Sequence, residues 1–166
     1  MPNLLTVGVL TNLANSMNEP IMPQMREVAS LRKLTHRQYD ARSPADFDGV
    51  ITAMKAGVGA FVLFDDTMLI DNAAAIGKLA LNHDLPSIGF PAYAEADGLL
   101  GFGINFPEIF RRAATFVDKI IKGAKPADLP FERASKFETV VNLKTAKTIR
   151  IELPTSVLLR ADQVIE

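Results

Sequence analysis

An α/β fold is predicted: a Rossmann-like lobe built on a parallel sheet, with a helix–strand–helix tail at the C-terminus. Three observations carry that expectation. Over the first two-thirds of the 166 residues, apolar runs of strand length alternate with helically periodic stretches. Residues 58–64, VGAFVLF, are continuously apolar, as strands covered on both faces are. Strand–helix–strand–helix at this spacing implies right-handed crossovers between parallel strands.

The elements follow in order. Residues 6–10, TVGVL, are a buried-strand candidate. A loop rich in Asn and Ser comes next, then a helix at about 23–34 with Met25, Val28 and Ala29 inward. Residues 34–39 make a weak strand, because THRQ is polar. Ser43 caps the next helix, with Pro44 at its first position and Asp46 at its third. Phe47, Val50, Ile51 and Met54 give that helix its apolar face, and Gly57 ends it. After the strand at 58–64, Ile76, Leu79 and Ala80 mark a helix, and PSIGF at 86–90 the next strand.

Gly98, Gly101 and Gly103 bracket a strand in which close backbone approach or unusual dihedrals are expected. Asn105 caps the helix that follows, with Glu108 three residues on as in a capping box. Ile109, Phe110, Ala113, Val117, Ile120 and Ile121 share one face of it, and Gly123 closes it. Beyond the turn KPADLP, the second half of FERASKFETVVN alternates as a strand does. Asn142 caps a short helix, LKTAKTI, and SVLLRADQVIE reads as a terminal helix after Pro154. A soft boundary near Gly101 to Gly103 divides an α/β unit, 1–103, from a crossover and tail, 104–166.

Composition narrows the function classes. A 48% hydrophobic content is enough for a sizeable core, and the mean hydropathy is +0.15. Eighteen basic and 19 acidic residues leave a net charge of −1, so nucleic acid is not an expected partner. With no cysteine there is no disulfide framework and no thiolate metal site. No apolar run approaches the ~20 residues of a membrane span. MPNLLTVGVLTN lacks the basic start and small-residue cleavage site of a signal peptide.

Ligands of open parallel sheets bind beyond the carboxyl ends of the strands. The loops after Leu10, Phe64 and Phe90 are therefore the candidate site. Asn12, Asn15 and Ser16 form either a polar rim suited to a ligand carboxylate or ordinary loop capping. Asp65 and Asp66 end the most apolar strand. Asp66 either takes a ligand's ammonium group or caps the following helix, with Thr67 beside it. Phe90 and Tyr93 offer an aromatic pair and Glu95 a carboxylate, against a reading as packing plus a solvated side chain. Phe102 is expected in the core of its strand. His36 and His83 are isolated, so no metal and no cofactor is expected. No nucleophile–base arrangement or phosphate motif is apparent, so an enzyme is not expected.

Several of these stretches resemble one family, the substrate-binding proteins of ABC transporters in the branch with tryptophan- and tyrosine-type binders. VGVLTNLAN resembles the family's entry into its second lobe. FVLFDD resembles a strand ending in Asp then Pro, with Asp66 at the acidic position and Thr67 replacing the Pro. HDLPSIGF is similar to its H-x-LP strand. DGLLGFGIN is similar to its GGL-x-SYG-x-N, with Gly101 and Phe102 for the usual Ser and Tyr. RRAATFVDKIIKGAKPADLPFE and KFETVVNLKTAK match most strongly. The resemblance implies a lobe of a type I periplasmic binding protein, as a second lobe plus the tail of lobe one. Nothing in the chain corresponds to the family's export signal or the start of lobe one. It further implies a small-molecule solute, such as an amino acid or small heterocycle, an ABC permease partner, and a periplasmic or cell-envelope location. On that view the tail lacks its usual cover and KFETVV presents an unpaired edge, so a homo-oligomer through the tail is expected. A receiver-like signalling domain is the competing expectation. It is weakened because VGVLTN ends without the acidic pair such a domain needs for Mg²⁺.

Overall fold

The computed structural model describes residues 4–166, except for the side chains of Met17 and Glu19. In chain order the elements are β1 (Thr6–Thr11), α1 (Met22–Leu31), β2 (Thr35–Asp40), α2 (Phe47–Gly57), β3 (Ala60–Leu63), α3 (Thr67–Asp71), α4 (Ala73–Asn82), β4 (Ser87–Gly89), α5 (Pro91–Glu95), β5 (Leu100–Ile104), α6 (Phe106–Ile121), β6 (Phe137–Asn142), α7 (Leu143–Thr148), α8 (Thr155–Leu158) and β7 (Gln163–Ile165). The strands form one seven-stranded sheet in the order β2-β1-β3-β4-β5-β6-β7. All neighbours are parallel except β5 and β6. The predicted α/β class, with a parallel sheet reached through helical crossovers, is the observed one.

Local signals explain most elements. Asp46 accepts hydrogen bonds from the Ser43 and Arg42 amides, both at 2.9 Å, so the capping box forms and launches α2 through a short 3-10 turn. Asn142 Oδ1 accepts from the Thr145 amide at 2.9 Å and starts α7. Gly98 lies so close to Tyr93 that a Cβ there would sit 2.5 Å from the ring. Gly123, at φ +99, stops α6 in a conformation that L side chains avoid.

The main core lies on one face of the sheet. Leu10, Phe61 and Leu63 pack there against Phe47, Ile51 and Met54 of α2 and Ile76 and Ala80 of α4. Burying such side chains contributes about 1.5–3 kcal/mol each. The opposite face is more open, which corrects two expectations. The strand at 58–64 is not covered on both sides: Phe61 and Leu63 are buried, Val62 and Phe64 only half-buried. On α1, Met22 is the buried residue, whereas Val28, expected inward, is 59% exposed.

The tail differs more from expectation. Residues after Pro154 make a single turn, α8, and then the strand β7 instead of a long terminal helix. The physical reason is a reciprocal clamp. The Thr139 amide donates to Asp162 Oδ2 at 2.8 Å and the Asp162 amide to the Thr139 carbonyl at 2.9 Å, which aligns Gln163–Ile165 beside β6. Strand β6 is consequently paired on both sides and is not the unpaired edge expected for KFETVV. Residues 104–166 thus divide: β6 and β7 join the sheet of the preceding residues, while α6 stands off it with no buried residue.

Candidate functional site at the carboxyl ends of β1 and β3

The loop after β1 reads NLANSMN, with Asn12, Asn15 and Asn18 three residues apart. That spacing eclipses side chains on one side of a 3-10 turn. The backbone follows it: the Asn15 amide donates to the Asn12 carbonyl and the Asn18 amide to the Asn15 carbonyl, both at 3.1 Å. Asn18 is buried and its Nδ2 donates to the Asn12 carbonyl at 2.8 Å. The three-residue repeat was the sequence signal for Asn18, which an inventory of charged and aromatic groups passes over. Asp40, at the end of β2, is a second such residue: its Oδ1 accepts from the Leu13 amide at 2.6 Å and pins the loop.

Two of these side-chain amides converge on Asp66. Asn12 Nδ2 donates to Asp66 Oδ1 at 3.2 Å, and Asn15 Nδ2 to Asp66 Oδ2 at 2.7 Å. The Met68 amide also donates to Oδ1, at 3.0 Å, so Asp66 is the N-cap of α3. Only 4% of Asp66 is exposed. Desolvation works to raise its pKa, but the hydrogen bonds from Asn15, Asn12 and the Met68 and Leu69 amides prevail and hold the carboxyl below its ordinary range. Both oxygens are thus engaged by the protein, and Asp66 occupies the capping position weighed for it.

Asp65 is its opposite. Among the described residues, no hydrogen bond or ion pair engages its carboxylate. It lines a concave surface of about 560 Å³ together with Asn15, Phe64, Gly89 and Phe102. The residue keeps access to solvent, yet crowding at its carboxyl raises its pKa above the ordinary value through desolvation. Phe102 is 55% exposed, not a core residue, because it faces the open side of the sheet, where its ring stacks on Phe137 at 5.8 Å.

The remaining candidates lie apart from this cluster. Ser16 and Thr67 are exposed, at the start of the 3-10 turn and of α3. Phe90 is buried at the residue preceding α5. Tyr93 is fully buried, its ring 6.1 Å from Phe90 and its hydroxyl donating to Ser87 Oγ at 2.8 Å. Burial pushes that hydroxyl's pKa well above its ordinary range. A solute stacking on Tyr93 would have to open the core, whereas Phe64 and Phe102 line the concave surface beside Asp65. Glu95 is exposed at the end of α5.

Comparison with known proteins agrees with this architecture. A family model described as ABC transporter substrate binding protein matches residues 1–165. An ABC domain from Streptococcus pneumonia, solved in complex with L-Trp, superposes with a TM-score of 0.85 at 25% identity, covering 99% of this chain and 58% of that one. A conserved domain protein from Vibrio cholerae O1 biovar El Tor superposes with a TM-score of 0.87 at 21% identity, covering 99% and 56%. The ligand-free, open structure of a substrate binding protein with adhesive properties from Clostridium difficile gives 0.76 at 18%, covering 99% and 55%. The chain therefore spans little more than half the length of these structures. None of the curated proteins compared matches it.

Proposed function

The chain belongs to the ABC transporter substrate binding protein family, and from that premise we propose that it binds a small solute carrying an ammonium group beside a flat apolar moiety. The observation that carries the reading is Asp65: a carboxylate without a hydrogen bond or ion pair among the described residues, on a concave surface, next to two phenylalanine rings. Such a group recognises a cation by a charge-assisted hydrogen bond. Phe64 and Phe102 supply the apolar wall. Asp66 acts as a positioning residue, holding the Asn12 and Asn15 amides in place. An amino acid fits this description, and the Streptococcus pneumonia neighbour was solved with L-Trp. Delivery to an ABC permease outside the cytoplasm is part of the same proposal, supported by the family match.

These 166 residues enclose a solute from one side, so the expected dissociation constant is weak, on the order of 1 mM. Thermal-shift titration with L-Trp, tryptamine and indole-3-propionate tests the reading. L-Trp and tryptamine should stabilise the chain, and the analogue without the amine should not. Equal stabilisation by all three would refute the role given to Asp65.

A further inference from the structure

A solute docked at Asp65 through its ammonium group meets a wall of one sign. Among the described residues that line this concavity, Asp65 is the one charged side chain. Its neighbour Asp66 adds a second negative charge. Desolvation opposes ionisation of Asp66, but hydrogen bonds from Asn15, Asn12 and the Met68 and Leu69 amides hold its carboxyl below the ordinary range. Arg42 does not offset these charges. Its Nε pairs with Asp40 Oδ2 at 3.1 Å, and the other oxygen of Asp40 holds the Leu13 amide.

The donors suited to a ligand carboxylate are turned onto the protein's own oxygens. Asn12 and Asn15 aim their side-chain amides at Asp66, and Asn18 aims its own at the Asn12 carbonyl. The backbone of the loop does the same. The Leu13 amide donates to Asp40, and the Ala14 amide to Asn12 Oδ1 at 3.0 Å. The Asn15 and Asn18 amides donate to the carbonyls of Asn12 and Asn15. A carboxylate leaves water favourably only where hydrogen-bond donors replace its hydration. At this loop it would have to displace bonds that hold the site together.

The carboxylate carbon of an amino acid lies two bonds from its ammonium nitrogen. A zwitterion docked through its amine therefore brings a negative charge to within about 6 Å of Asp65, where like charges repel. We infer that this chain prefers arylalkyl monoamines, whose amine has no carboxylate beside it, over zwitterionic amino acids. The inference rests on docking at Asp65 and adds the charge state of the solute to that reading. Phe64 and Phe102 take the ring in either case, so an amino acid remains a weaker ligand. The concavity is open to water, which screens the repulsion, so the preference is about tenfold and not the larger factor of an enclosed site.

Dissociation constants of the 166-residue chain for L-Trp, tryptamine and α-methyltryptamine, from amide NMR titrations at pH 7, are the test. α-Methyltryptamine carries a methyl group where L-Trp carries its carboxylate, so it separates charge from bulk. Both amines should bind about tenfold more tightly than L-Trp. In Asp65→Asn, with folding checked by circular dichroism, that ratio should fall towards one. L-Trp binding as tightly as both amines overturns the preference and leaves docking at Asp65 standing. α-Methyltryptamine binding as weakly as L-Trp also overturns it, because bulk is then the discriminator. So does a ratio unchanged in Asp65→Asn. If none of the three shifts a resonance of the folded wild-type chain, docking at Asp65 fails and the preference fails with it.

Discussion

Replacing Asp66 with Ala separates a structural role from a ligand-contact role for this residue. The substitution removes the N-cap of α3 and the acceptors of two Asn side chains. An N-cap is worth about 1 kcal/mol. Each hydrogen bond to a charged acceptor contributes about 1.5–3 kcal/mol. Asn12 and Asn15 are half-buried and partly regain water, so the lower end applies. The sum is about 4 kcal/mol, a fall in Tm of roughly 8–16 °C at about 2–4 °C per kcal/mol. Asp66→Asn keeps a capping oxygen but not the charge and should cost about half as much. The pH dependence gives a second signature. The folded-state pKa of Asp66 lies below its ordinary 3.8. Its contribution is therefore present above pH 3.8 and is lost as pH falls through the folded value. Calorimetric melts of wild type, Asp66→Asn and Asp66→Ala at pH 7, 4 and 3 provide the assay. If Asp66→Ala melts within 1–2 °C of wild type yet abolishes solute stabilisation, the carboxylate contacts solute and the capping argument is wrong.

Three further outcomes are expected. Asp65→Asn should raise the Tm at pH 7 and weaken solute binding: its folded pKa is raised, so the penalty it imposes is absent below pH 3.8 and full above the folded value. Gain in stability with unchanged binding would place the solute elsewhere. Tyr93→Phe should cost about 1–2 kcal/mol in urea unfolding, by leaving the buried Ser87 hydroxyl without its partner, and should not alter solute affinity. His36 has a buried Nε2 without a partner among the described residues, and desolvation, with Arg26 nearby, lowers its pKa below 6.5. Folding thus favours neutral His36, and stability present above pH 6.5 should decline as pH falls below it. His36→Asn should flatten that decline in thermal melts between pH 7 and 5.

The sequence made the fold legible wherever local chemistry and tertiary context agree. The Ser43–Asp46 capping box, the Asn142 cap and the glycine-lined β5 all express short-range constraints, and each formed. What escaped depends on contacts distant along the chain. The clamp between Thr139 and Asp162 turns an apparent helix into β7, and nothing within SVLLRADQVIE announces a partner 23 residues upstream. Likewise VGAFVLF reads as buried on both faces, but composition does not say whether a helix sits over Val62. That the loops after β1 and β3 lie together was legible from topology, and the structure brings Asn12, Asn15 and Asp66 into one hydrogen-bonded cluster there. The division of labour between adjacent aspartates was not legible. Asp65 and Asp66 differ by one position in a chain whose side chains alternate direction, and only the fold decides which carboxylate the Asn amides reach. Tyr93 escaped for the same reason: an aromatic after a strand is polar-tipped and ligand-like in sequence, and its Ser87 partner is six residues away on β4.

The central claim, that solute binds where Asn15, Asp65 and Phe102 meet, is tested most directly by amide NMR titration of the ¹⁵N-labelled chain with L-Trp. The account predicts saturable shifts confined to residues around Asn15, Phe64, Asp65, Gly89 and Phe102, and their loss in Asp65→Asn. Shifts centred on α6 and residues 132–136, or none at several millimolar L-Trp in a folded chain, would contradict it.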